Sequence, residues 1–255
     1  MKVRELYAFL NEKIPPSLSC SWDNDGLLCC PDEEAEVRRV LVALDITDRV
    51  VSEAIEGGYD VIVAHHPMIF APLKAVNPRS HITKKAIRLL RAGITAMCFH
   101  TRLDVVEGGV NDTLAELLGL ENTARFGNPG EEVGRVGELP HEMTLADFCA
   151  LVRSKTGAEA VHAADAGKPV HRVAVLGGSG SDDGFAAIAA GADTFLSGEF
   201  KHSYLTEAPE CGINLIAAGH FHTENPICQA LARWIGEAYP TLTVDLTDSN
   251  PVRVL

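Results

Sequence analysis

Two histidines stand side by side at the end of an apolar run, in Val-Ile-Val-Ala-His65-His66-Pro67. Imidazole nitrogen is the commonest protein ligand for a transition metal. Pro67 lacks the backbone donor that would continue a strand. Successive strand residues face opposite ways, so both rings serve one cavity only where the chain turns at the strand end. A second group, His100-Thr-Arg-Leu-Asp104, also follows an apolar run. A third is Ala-Gly-His220-Phe-His-Thr-Glu224, with histidine and carboxylate four apart. The candidate metal ligands are therefore His65, His66, Asp104, His220 and Glu224, with His222 in reserve. His100 is a further ligand or a group that orients one. Neutral nitrogen with carboxylate oxygen suits Zn, Fe, Mn, Co or Ni. Five ligands exceed what one tetrahedral zinc takes, and a carboxylate can bridge. Two divalent ions per chain is the economical solution. Two ions about 3.5–4 Å apart can activate water for hydrolysis. Each group has a plainer reading: hydrogen-bonded structural histidines, Asp104 as a loop cap, and Glu224 in the first turn of a helix capped by Thr223.

Such residues must be positioned by something, and the chain repeats the device that does it. Arg39–His66 aligns without a gap on Arg172–Glu199, a constant offset of 133, with identities at Arg39/Arg172, Val40/Val173, Val42/Val175, Ala54/Ala187, Ile55/Ile188, Gly58/Gly191 and Asp60/Asp193. Each copy is an apolar run, a helical stretch, a glycine stop and a second apolar run. The echo continues from 92–104 to 211–224, so each half reads strand, helix, strand, helix, strand. That alternation predicts an α/β fold of two similar layered lobes with parallel strands. Its sites belong at the carboxyl ends of the strands, where Asp45, His65, His66, His100, Glu199 and His220 fall, in the cleft between lobes. The expected lobes are residues 1–124, carrying His65, His66 and Asp104, and 125–255, carrying His220 and Glu224, with the C-terminal helix packing back on the first. A join is expected near 122–140, where Asn122, Gly127, Asn128, Pro129, Gly130 and Pro140 collect. Residues 144–157 read as a helix capped by Thr144 and Gly157.

Composition limits the partners. The 255 residues carry 22 Lys+Arg against 35 Asp+Glu, a net charge of −13, which disfavours nucleic acid. No apolar stretch reaches the roughly 20 residues of a membrane span. Residues 1–18 read as a short amphipathic helix broken at Pro15-Pro16, without a signal peptide's apolar core, so a cytoplasmic location is expected. Seven cysteines with no C-x-x-C spacing read as reduced, mostly buried thiols. Trp-Asp-Asn-Asp-Gly (22–26) reads as a structural turn, with Trp22 in the core and Asp23 or Asn24 capping it. Gly-Gly-Ser-Gly-Ser-Asp-Asp-Gly (177–184) fails the dinucleotide spacing and lacks the Walker lysine, leaving a tight turn after a strand.

The segments 22–28, 41–47, 61–70, 100–120, 192–202 and 218–224, in that order, resemble the Nif-three-like family, also described as dinuclear-metal-centre hexameric proteins and GTP cyclohydrolase I type 2 homologues. The resemblance implies that His65 and His66 ligate the two metals, that Asp104 and His220 join them, and that Glu224 bridges both. It implies a toroidal homohexamer and, from the label, hydrolytic opening of the GTP imidazole ring at C8. On that reading Glu199 or His100, by position alone, would handle protons. The functional expectation is a metal-dependent hydrolase acting on a nucleotide or similar small polar substrate. Its alternative is a non-catalytic metal-binding protein that presents the site to a protein partner.

Overall fold

The computed structural model describes residues 1–130 and 132–255. Its elements begin with α1 (Val3–Lys13), β1 (Gly26–Cys29), β2 (Arg39–Ala43), α2 (Asp48–Glu56), β3 (Val61–Ala64), α3 (His81–Ala92), β4 (Thr95–Cys98) and α4 (Thr101–Val105). They continue with α5 (Val110–Leu117), β5 (Glu121–Asn128), β6 (Glu131–Met143), α6 (Leu145–Thr156), β7 (His162–Ala164), β8 (Val170–Ser179) and α7 (Gly184–Ala189). Last come β9 (Thr194–Glu199), α8 (His202–Glu207), β10 (Asn214–Ala217), α9 (His220–Glu224), α10 (Pro226–Ala238) and β11 (Thr243–Leu246). The contacts group these into two units, Met1–Val106 with Cys228–Pro251 and Glu107–Ile227 with Val252–Leu255. This grouping differs from a single cut at 124/125: α5 goes with the second unit, and most of α10 and all of β11 return to the first.

The first unit is built on a five-stranded sheet of order β1-β4-β3-β2-β11. The last four strands in that order run parallel, and β1 is antiparallel to β4. Every residue of β3 and β4 is buried, the signature of parallel strands covered on both faces. Helices α2 and α3 set Val50, Val51, Ala54, Ala86 and Leu89 against Leu41, Ala43, Ile62, Ala64 and Ala96. Thr47 caps α2 by accepting from the Val50 amide. Gly93, at φ 74°, ends α3 in the left-handed conformation that glycine adopts without strain.

The second unit holds a six-stranded sheet of order β5-β6-β8-β9-β10-β7, parallel through β8, β9 and β10. Strand alternation sends Val173 and Val175 to one face, against Leu114 of α5 and Phe148 and Val152 of α6. It sends Ala174 and Leu176 to the other, against Ala187 of α7 and Ala208 beyond α8. Thr144 and Gly157 cap α6 as the sequence predicts. The expected join at 122–140 is instead mostly the antiparallel hairpin β5–β6. Its glycines and prolines serve a turn and strand bends rather than a linker.

The repeat in sequence is a repeat in structure. β2-α2-β3-α3-β4 and β8-α7-β9-α8-β10 share one strand order and direction. The Asp60 carboxylate accepts from the Arg39 amide at 2.8 Å, and the Asp193 carboxylate from the Arg172 amide at 2.7 Å. The Arg39 guanidinium donates to the Gly57 carbonyl, and that of Arg172 to the corresponding Ala190 carbonyl. None of the seven cysteines is in a disulfide; three are buried, three half-buried, and Cys211 is exposed. Burial pushes the Cys98 thiol up to about 12 and that of Cys29 up to about 11. Among the described residues, no helix is long and apolar enough to cross a membrane.

Candidate metal centre

In the first unit, the ladder between β2 and β3 runs one step past the strands, where the His66 amide donates to the Leu44 carbonyl. That step sets Asp45 beside His66, and the His66 Nδ1 lies 2.8 Å from Asp45 Oδ1. The ladder between β3 and β4 runs on in the same way, through the Phe99 amide and the Ala64 carbonyl. It sets His65 beside Phe99, and His65 Nδ1 lies 2.9 Å from the Phe99 carbonyl oxygen. His100 Nδ1 lies 2.8 Å from Asp23 Oδ1. A carbonyl or carboxylate oxygen only accepts, so each Nδ1 carries the proton. The lone pair of each ring is then on Nε2, the arrangement found behind metal-ligating histidines. The ligand nitrogens of His65, His66 and His100 lie within 4.8 Å of one another. Asp104 Oδ1 stands 3.6 Å from His65 Nε2.

Two expectations change here. Asp104 is not in a loop: Thr101–Val105 form the short helix α4, which turns its carboxylate towards His65. The turn at 22–26 does not bury Trp22, which is 58% exposed. It buries the Asp23 side chain instead, which accepts from His100, the Thr101 amide and the Thr101 hydroxyl. Burial opposes ionisation of Asp23, but these hydrogen bonds outweigh it and hold the carboxyl below its ordinary value.

In the second unit, the ladder between β9 and β10 extends to the Gly198 carbonyl and the Gly219 amide, which sets Glu199 beside Gly219, one residue from His220. His220 Nδ1 lies 3.3 Å from Glu199 Oε1, and its Nε2 lies 3.2 Å from Glu224 Oε2. Glu224 is buried and His220 half-exposed. Three glycines make the room. A Cβ on Gly178, at φ 73°, would fall 2.3 Å from Glu224 Oε1; one on Gly177 would meet Glu224 Cγ at 3.0 Å; one on Gly198 would meet the His220 Cα at 2.7 Å. Gly177 and Gly178, near the end of β8, together with Gly198 of β9, thus form a cradle for a carboxylate, so the glycine-rich stretch begins within the strand and not after it. Thr223 is not a helix cap. It lies within α9, donates to helix carbonyls, and accepts from the Gly178 amide at 3.1 Å.

Imidazoles of fixed tautomer, carboxylates and no thiolate fit a divalent ion of the Zn, Fe, Mn, Co or Ni class. Glu199 and His100, read from sequence as proton-handling groups, stand at His220 Nδ1 and in the first unit's histidine cluster respectively. Sequence reasoning missed what Asp23 and Asp45 do. Asp45 had a signal, a carboxylate just past a strand end; Asp23 had none beyond a turn.

A family model described as Duf34/NIF3 (NGG1p interacting factor 3) matches residues 1–251. A Clostridium perfringens protein named GTP cyclohydrolase 1 type 2 homolog is 32% identical over 232 residues, spanning 89% of this chain and 88% of that one. A Nostoc protein of the same name is 34% identical over 236 residues, spanning 91% and 90%. Among solved structures, a hypothetical protein of Staphylococcus aureus superposes with a TM-score of 0.89 at 29% identity, covering 100% of this chain and 99% of that one. Reduced HcgD from Methanocaldococcus jannaschii gives 0.84 at 27% identity, covering 96% and 97%.

Proposed function

Given that the chain belongs to the Duf34/NIF3 family, we propose that it binds two divalent metal ions and hydrolyses a nucleotide or similar small polar substrate. The observation that carries this reading is the set of four histidines whose Nδ1 atoms are each held by an acceptor, so that each presents Nε2. Each unit alone offers an incomplete ligand set: histidines with Asp104 in the first, one histidine with Glu224 in the second. His65, His66, Asp104, His220 and Glu224 are the five groups that would hold the ions, with Glu224 as the shared carboxylate. When bound, the ions supply Lewis-acid polarisation and acidify water. The chain's own residues then orient the ligands, through Asp45, Asp23 and Glu199, and move protons, the role we assign to His100 and Glu199. The relatives' shared name, GTP cyclohydrolase 1 type 2 homolog, makes a purine nucleotide the first substrate to test. We further propose a homohexamer, which sizing in solution would report as six chains of 27.3 kDa each.

The test is metal content by mass spectrometry on protein purified without chelator or His tag, followed by a turnover assay with GTP. Two ions per chain are expected, reduced in both His65→Ala and Glu224→Ala, with metal-dependent turnover lost in a folded Glu224→Gln. A wild type that stays metal-free after Zn, Mn, Fe or Co is supplied overturns the reading. Two ions with capture of a protein partner and no turnover would replace the hydrolase by a metal-binding regulator.

A further inference from the structure

Beside the histidine cluster, the first unit exposes two large aromatic rings that its core does not use. Trp22 is 58% exposed and Phe70 is 51% exposed. Their centroids lie 6.1 Å apart at an interplanar angle of 62°, and each stands edge-on to His100, at 6.3 Å and 6.2 Å. The rings are held in place. Asp23, next to Trp22, is fixed by its bonds to His100 and Thr101, and the Asn24 amide donates to the Ile69 carbonyl at 2.6 Å, tying the Trp22 turn to the segment that carries Phe70. Phe70 also lines a cavity of about 400 Å³ whose wall includes His66, Asp45, His81 and Lys85. That volume is of the size that holds a small organic ligand. The Asp45 carboxylate is engaged by His66 and by Ser249. Lys85 donates to the Ile46 carbonyl at 2.5 Å, which fixes its ammonium at the wall. Lys85 is a cation on a wall that also carries the Asp45 carboxylate, which His66 and Ser249 already engage.

We propose that this face of the first unit is the substrate subsite and takes a planar aromatic heterocycle carrying phosphate, the ring against Phe70 and Trp22 and the phosphate towards Lys85 and His81. Aromatic side chains bind any base through its π-face, and a fixed ammonium binds phosphate as a point charge. Since His66 belongs to the same wall, a ligand seated here lies next to the histidine cluster. This inference deepens the hydrolase reading and rests on it for the chemistry that follows binding.

The experiment is calorimetric titration of the full-length, metal-loaded protein with GTP, guanosine and inorganic tripolyphosphate, with metal content measured on every variant. The expected result is that Phe70→Leu weakens GTP and guanosine by about tenfold or more and leaves tripolyphosphate unchanged. Lys85→Met should weaken GTP and tripolyphosphate and spare guanosine, while Phe70→Tyr and Lys85→Arg, which keep ring and charge, should restore binding. Metal content should match wild type throughout. Wild-type protein that carries its ions but binds none of the three probes overturns the subsite and leaves the metal reading standing. So does GTP affinity that is the same in Phe70→Leu, Lys85→Met and wild type. Metal-free protein that still binds GTP with both sensitivities supports the subsite and sinks the metal reading instead.

Discussion

At the scale of single residues, the ligand candidates depend on partners that are far away in sequence. His66 is oriented by Asp45, 21 positions upstream, and His100 by Asp23, 77 positions upstream. Removing such a partner leaves the ligand in place but frees its ring to rotate and to shift tautomer, which typically costs 10–100-fold in metal affinity. Asp45→Ala should therefore weaken one ion by roughly that factor in a chelator competition assay, with the folded state intact. Asp60→Ala, which removes a carboxylate that only holds the backbone of Arg38 and Arg39, should leave metal affinity alone. Equal losses in the two variants would mean that Asp45 acts through the fold and not through His66. The same distances explain what the sequence could reveal here. Adjacent histidines at a strand end are visible to the eye, because the ligand and the turn that aims it are neighbours. The orienting carboxylates are not, because only the strand register brings Asp45 to His66, and only the folded turn brings Asp23 to His100.

At the scale of elements, the two βαβαβ frames are the same device carrying different residues. The position matching His66 in the second frame is Glu199, and the short helices α4 and α9 occupy the same place after the third strand. Their candidate ligands nevertheless fall at different positions: Asp104 is the fourth residue of α4, whereas His220 and Glu224 are the first and fifth of α9. The frame was legible because its apolar runs and glycine stops align without a gap. The departures from it were not. Gly127, Asn128, Pro129 and Gly130 fit a linker as well as they fit the end of β5 and the hairpin turn that follows it. Thr223 resembles a cap in sequence, yet its hydroxyl is engaged with carbonyls of its own helix and with the Gly178 amide. The cradle under Glu224 makes a sharper prediction. Alanine at Gly178 meets both a left-handed backbone, costing about 1–2 kcal/mol, and an overlap with the Glu224 carboxylate. Gly178→Ala should lower the unfolding midpoint and reduce bound metal, whereas alanine at Gly58, also at positive φ but with open space around it, should lower the midpoint with metal content unchanged. Thermal unfolding alongside mass spectrometry separates the two effects.

At the scale of the whole molecule, the first unit is assembled from both parts of the chain, with the second unit's sequence between them. Strand β11 pairs in parallel with β2, and the Arg39 guanidinium reaches Asp245, 206 positions later. Contacts of that separation form late, because the chain must first close a very long loop. The α/β class and the parallel strands were legible from alternation alone. The return of the chain was not, since Thr243–Leu246 carries no mark of the partner it will find. Ser249 adds a temporal meaning to this arrangement. Its hydroxyl accepts from the Asp45 amide and donates to the Asp45 carboxylate, the group that aims His66. During synthesis, His65 and His66 leave the ribosome long before Ser249 does, and β2 has no β11 to pair with until then. A nascent chain halted after residue 227 should show a protease-resistant second unit and a digestible first one, and full extension should protect both. Equal resistance before and after extension would contradict this order. The returning segment thus completes the support behind His66 only once it has been made, so that on the proposed metal reading a half-made polypeptide carries His65 and His66 before Asp45 is braced by Ser249.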